Sequence, residues 1–147
     1  MGCMMPRPSR DEYYLGIAYA VSARSSCVRR HYGAVIVSED EIVSTGYNGN
    51  VRGEPNCDAI GYCLRHGLPH NDSTQLYGDC RSVHAEQNAM LSASRREMIG
   101  STLYLAGVDG ETGEKLRDVT PCPLCMRMLK NAGMSRIVTE AGDLPCS

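Results

Sequence analysis

The residues "AVIVSEDEIVSTGYNG", Ala34 to Gly49, decide the fold. Two runs rich in β-branched residues flank Glu39-Asp40-Glu41, and that pattern predicts two strands joined as a hairpin. Upstream, Ser9 with Glu12 three residues on reads as a capping box. The helix it opens runs through "DEYYLGIAYAVSAR", where Leu15, Ala18 and Ser22, flanked by Tyr14, Ile17 and Val21, give one packing face. Downstream, "VHAEQNAMLSASRREM" predicts a helix ending before Gly100, and "STLYLAG" a buried strand. "PCPLCMRMLKNAG" predicts a helix with proline in its first turn and Gly133 as its stop, and "SRIVTE" a last strand. The order α-β-β-α-β-α-β, with no repeat and no linker, predicts one domain over residues 1–147. Its fold class is α/β, a three-layer α/β/α sandwich around a mixed sheet.

Two stretches fall outside this alternation. "GVDGETGEKLRDV" reads as a hairpin insertion around Gly110 to Gly113. From Gly46 to Asp79 the chain is rich in Gly, Asn, Pro and His without a period, and so long a loop in a compact domain is functional or clamped.

The chain has 147 residues, a net charge of -2 and eight cysteines. That length can bury a real core. The charge argues against holding long nucleic acid by its phosphates, which takes a basic face. No apolar run approaches the roughly 20 residues of a membrane span. The opening "MGCMMPRPSRDEYY" has no apolar centre for a secretory signal, so a cytoplasmic place is the expectation. In that setting, cysteines point to metal binding or catalysis rather than to disulfides.

The chemistry gathers in "SVHAEQNAM", Ser82 to Met90, and "TPCPLC", Thr120 to Cys125. Cys122 and Cys125 form a CxxC at a helix start, where thiolates are favoured. Two thiolates and the imidazole of His84 make a soft N/S ligand set suited to Zn²⁺. Three protein ligands leave a fourth position for water, as a catalytic zinc site requires. Glu86, two residues past the histidine, is placed to move that water's protons. Either motif alone is weak; a lone CxxC is as often redox-active or structural. Together, each at a helix N-terminus and with proline beside the first cysteine, they are specific.

With "GAVIV", "TGYNG", "GEPNC", "HAEQNA", "PCPLC" and "NAGMSRIV" in this order, the chain resembles the zinc-dependent cytidine deaminase superfamily. Within it, the deoxycytidylate (dCMP) deaminases are most similar. The resemblance implies hydrolytic deamination of a free pyrimidine nucleotide, dCMP to dUMP, with zinc as cofactor and a homo-oligomer as the working form. It implies that Glu86 passes a proton to the cytosine ring and then to the leaving amine. It also implies that the backbone of Ala85 meets the pyrimidine edge, that Asn48 contacts the sugar, and that the backbone N–H of Cys122 orients the nucleophile. Several relatives use cysteines for a structural zinc, which implies that role for Cys27, Cys57, Cys63 and Cys80, with His66 or His70 as substitutes.

Two departures matter. The insertion before Thr120 lengthens the path from His84 to Cys122, which keeps another free nucleoside, base or aminated heterocycle open as substrate. The chain also stops soon after "RIVTE", so a four-stranded core, or an edge completed by another subunit, is expected. For the 5′-phosphate, Arg29, Arg30, Arg52, Arg81, Arg95 and Arg96 are all eligible. A deaminase of RNA or DNA would need a basic groove, and an inactive zinc module would not need Glu86.

Overall fold

The computed structural model describes residues 5–61 and 82–146. Helix α1 (Arg10–Ser22) begins where Ser9 Oγ accepts the Glu12 backbone N–H at 3.1 Å, the N-cap read from the sequence. The hairpin follows as strands β1 (Arg30–Ser38) and β2 (Glu41–Tyr47). Its two-residue turn places Glu39 (φ 51°) and Asp40 (φ 60°) in the left-handed region, which matches the twist of the flanking strands. The Tyr14 hydroxyl of α1 holds that turn, donating to the Asp40 carboxylate at 2.7 Å.

The chain continues through β3 (Gly49–Asn50), α2 (Cys57–Ile60) and β4 (Ser82–Val83), and β3 pairs with β4. Then come α3 (Ala85–Leu91), α4 (Arg95–Met98), β5 (Thr102–Asp109), α5 (Pro123–Asn131), β6 (Arg136–Thr139) and β7 (Gly142–Pro145). The main sheet has the order β2-β1-β5-β6-β7. It is mixed: β5 and β6 run parallel, and every other neighbouring pair is antiparallel.

Alternation along β1 sorts the two layers. Val35 and Val37 face α1 with Tyr14, Ala18, Tyr104, Ala106 and Val138. Ala34 and Ile36 face the other way, onto Ala85, Ala89, Leu103, Leu105, Leu129 and Ile137. Two glycines let helices approach the strands closely. A Cβ on Gly33 would strike the Ala18 carbonyl of α1, and one on Gly46 the Ala85 carbonyl and Ala89 nitrogen of α3. Among the described residues no helix is long and apolar enough to cross a membrane.

The three-layer α/β/α class holds, with two corrections of detail. The helix expected over Val83–Met98 breaks after Leu91, because Ser94 opens a new helix with its own capping box to Glu97. The sheet has five strands rather than four: Gly142 turns the chain back, and β7 pairs antiparallel to β6. The insertion is the hairpin the sequence predicts, with Val108 and Lys115 bridged antiparallel. Asp109 N–H donates to the Glu114 carbonyl and Leu116 N–H to the Gly107 carbonyl, both at 2.9 Å. Residues 114–116 thereby cover the end of β5.

Candidate active site

The site lies on the α3 and α5 face. Residue His84 is the N-cap of α3, extended at φ -71° and ψ 154°. Cys122 is the N-cap of α5, and Pro123 follows at the first helical position, where its missing N–H costs nothing. The Cys122 sulfur accepts the Cys125 backbone N–H at 3.4 Å. Across the gap, His84 Nδ1 lies 3.2 Å from Cys125 Sγ and 3.6 Å from Cys122 Sγ. The three donor atoms lie within 4.8 Å of one another, and Cys125 is fully buried.

These separations fit zinc. Tetrahedral ligation with the usual Zn–S and Zn–N bonds sets neighbouring S and N atoms about 3.5 Å apart. Charge gives the same answer. The Cys122 thiol is held well below its ordinary range, first by a hydrogen bond from Cys125 and then by His84. The same bond, with burial, pushes Cys125 up. The proton the pair keeps is therefore on Cys125, and a divalent cation bound there would displace it by stabilising both thiolates.

Glu86 is 5% exposed, in the first turn of α3. Burial pushes its carboxyl above the usual range, opposed by its own backbone N–H bond and by His84. A carboxyl raised above its ordinary range holds a proton more firmly than an exposed one, as a group that both takes and gives protons requires.

Of the other residues singled out, Ala85 is fully buried beside the cluster. Asn48 is 6% exposed, and its amide is engaged: Oδ1 accepts the Tyr32 N–H at 2.9 Å, and Nδ2 donates to the Arg30 carbonyl at 3.0 Å. It therefore clamps the end of β2 to the start of β1. Cys27 and Cys57 lie on adjoining segments, since the Ser26 carbonyl accepts the Asp58 N–H at 3.1 Å and the Ser26 hydroxyl donates to Asn56 at 2.8 Å. Cys63, Cys80, His66, His70 and Arg81 lie outside the described residues. Arg95 donates to the Asn131 carbonyl at 2.9 Å, while Arg52 and Arg96 are exposed. Arg30 donates to the Tyr32 hydroxyl at 3.3 Å.

Sequence reasoning missed the scaffold around the site. Gly46 lets α3 sit against β2, and Ser44 donates to the Ala89 carbonyl at 2.7 Å. Tyr32 and Val119 both close over Gly107. A glycine inside a β-branched run was the available signal for the close approach.

A family model for the cytidine and deoxycytidylate deaminase zinc-binding region matches residues 8–141. The deoxycytidylate deaminase of Mycobacterium phage D29 is 38% identical over 135 residues, covering 91% of this chain and 96% of that protein. The deoxycytidylate deaminase of Saccharomyces cerevisiae is 37% identical over 134 residues, but the match covers 38% of the yeast protein and 90% of this chain. The crystal structure of dCMP deaminase from the cyanophage S-TIM5, in complex with dCMP and dUMP, superposes with a TM-score of 0.64 at 26% identity. That match covers 92% of this chain and 83% of the cyanophage chain. With the family model matching most of its length and a relative 38% identical across it, this chain belongs to the cytidine and deoxycytidylate deaminase family.

Proposed function

We propose that this protein is a zinc-dependent hydrolase that deaminates dCMP to dUMP and releases ammonia. The carrying observation is the buried Glu86 carboxyl beside three convergent N and S donors. The relatives named above support the substrate.

In this reading His84, Cys122 and Cys125 hold the metal. Zinc bound there supplies activation of a water nucleophile near neutral pH. Glu86 takes the proton released by that water and delivers it to N3 of the pyrimidine. A C4–O bond forms, Glu86 carries the remaining proton of the new C4 hydroxyl to the exocyclic nitrogen, the C4–N bond breaks as C4=O forms, and ammonia departs. The backbone of Ala85 meets the pyrimidine edge, and the Cys122 N–H orients the attacking oxygen. Asn48 contacts the sugar through the hydrogen and lone pair that its β1 bonds leave over.

For the phosphate, Arg30 is the best supported arginine. By strand alternation it shares the face of Tyr32, which packs into the core on the site side, and Asn48 clamps the backbone of both. Arg30→Ala is expected to raise KM for dCMP about tenfold or more and to leave deoxycytidine turnover unchanged. Cys27 and Cys57, with Cys63 and Cys80, are proposed to hold a second, structural zinc, supported by the bonds that bring their segments together. Elemental analysis should then find two zinc atoms per chain; one would refute the clamp. Cytoplasmic location goes with this reading because a free nucleotide does not cross membranes. A homo-oligomer is proposed from the resemblance, and light scattering would test it.

The deciding experiment is an ultraviolet absorbance assay against dCMP, CMP, deoxycytidine, cytosine and short single-stranded DNA. Turnover is expected with dCMP above all. Turnover of deoxycytidine without dCMP would overturn the substrate assignment.

A further inference from the structure

The two halves of the donor cluster sit on different elements. Both cysteines belong to the start of α5, where Cys122 accepts the Cys125 N–H and so fixes its own sulfur. The histidine ring takes part in the capping box of α3, facing the Gln87 backbone N–H, but that half of the box does not fix the backbone from which the ring is launched. His84 is the residue before a helix of only seven residues, a place where chain ends fray. Something must hold its backbone if Nδ1 is to stay 3.2 and 3.6 Å from the two sulfurs.

Gln87 does this. Its side-chain Oε1 accepts the His84 backbone N–H at 2.9 Å, closing a ring three residues long over the Glu86 position. This is the reciprocal half of a capping box, with histidine in the place usually taken by serine or threonine. The bond fixes the amide plane before His84, and with it the direction in which Cα–Cβ launches the imidazole. The next residue, Asn88, makes a bond of similar length to a different target. Its Nδ2 donates to the Tyr47 carbonyl at 2.8 Å, tying α3 to the end of β2.

We infer that Gln87 is a positioning residue that sets the zinc affinity of the site by holding His84, whereas Asn88 anchors the helix to the sheet. This rests on the zinc reading of the cluster. Partners that orient a metal ligand typically change affinity by about ten- to a hundredfold when removed. A histidine freed at its backbone nitrogen must be ordered at the moment of binding, so the loss falls on affinity.

The test is competition for zinc between the protein and a chromophoric chelator, run beside thermal unfolding of the metal-free forms. Gln87→Met keeps the side-chain length and removes the acceptor; it is expected to raise the zinc dissociation constant about tenfold. Gln87→Glu retains an acceptor oxygen and should stay within about threefold of the parent. Asn88→Ala should lower the melting temperature and leave zinc affinity within about threefold. Parent-like zinc affinity in Gln87→Met, or an equal loss in Asn88→Ala, would overturn the assignment by reducing Gln87 to ordinary helix anchoring. Failure of the parent protein to bind zinc at the cluster would instead bring down the metal reading itself. Should Gln87→Met not fold, loss of affinity in the folded Gln87→Glu form, whose bond is intact, would count against the proposal.

Discussion

The two faces of the sheet are held by different means. On the α1 face three tyrosine hydroxyls each donate to a carboxylate: Tyr14 to Asp40 and Tyr104 to Asp11, both at 2.7 Å, and Tyr19 to Glu140 at 2.9 Å. Arg136 binds Asp11 at 2.7 Å and Asp143 at 2.8 Å, and the Lys115 ammonium sits 4.5 Å from the centre of the Tyr19 ring. The carboxylate beside it pushes the Tyr14 hydroxyl up to about 12. These polar groups answer one another. On the α3 and α5 face the core is aliphatic and methionine-rich, and at one end of it His84, Glu86 and the two cysteines come together. There the donors converge on a point instead of pairing off. In a chain without Phe or Trp, Tyr14, Tyr19 and Tyr104 fasten one face, while the other carries the chemistry.

That contrast can be broken from the site side first. Glu86→Gln should cut kcat by on the order of a thousandfold while zinc content and melting temperature stay near the parent's, because only proton transfer is removed. Steady-state kinetics with metal analysis checks it, and substantial residual turnover would mean that Glu86 has another task. A smaller effect separates the two close approaches. Gly33→Ala and Gly46→Ala both force a helix away from its strand and should each cost about 1–3 kcal/mol in urea unfolding. Only Gly46→Ala should also change kcat/KM, since α3 carries Glu86; equal kinetic damage from Gly33→Ala would show that the faces are coupled.

On the α1 face the expected effects shrink further. Tyr104→Phe leaves Asp11 with its Arg136 bond and should cost about 1 kcal/mol with activity unchanged. Asp11 is held below the usual carboxylate range, first by the Arg136 hydrogen bond and then by Tyr104. It therefore binds fewer protons folded than unfolded, so its stabilisation is present above about pH 4 and fades as pH falls through the lower folded value. Its side chain is 43% exposed, so the contribution should stay under about 1 kcal/mol. Asp11→Asn should flatten that part of an acid-unfolding curve; an unchanged curve would leave the ion pair without energetic weight.

Much of this was legible in the sequence because the signals were local. The hairpin, α1 with its Ser9 cap, and α5 between Pro123 and Gly133 each depend on residues a few positions apart. So did the pairing of a histidine with a CxxC, whose ligand chemistry admits few metals. What escaped was set by partners distant in the chain. The break after Leu91 had a signature, Ser94 with Glu97, but the apolar spacing of Ala89, Met90 and Ala93 masked it. Strand β7 has one inward apolar residue, Leu144, beside a proline, and gains its strand character only from pairing with β6. Asn48 in an Asn-Gly pair suggested a turn or a sugar contact. That its amide also fastens β1 required knowing which strand lies beside it.

The insertion after β5 bears on which lengths of chain the fold can accept. Residues 114–116 hydrogen-bond to the same strand that the insertion leaves, and Gly110 N–H is pinned to the Arg29 carbonyl at 2.8 Å. The short tip between these fastenings is held by local bonds to Asp109, whose carboxylate accepts the Glu111 and Thr112 N–H at 2.8 and 3.0 Å. Extra residues at Glu111 or Thr112 should be absorbed there, whereas even one added between Leu116 and Pro121 would shift both sulfurs relative to the imidazole. Natural length variation in this segment should therefore concentrate at the tip, and a peptide tag placed there should leave the enzyme working.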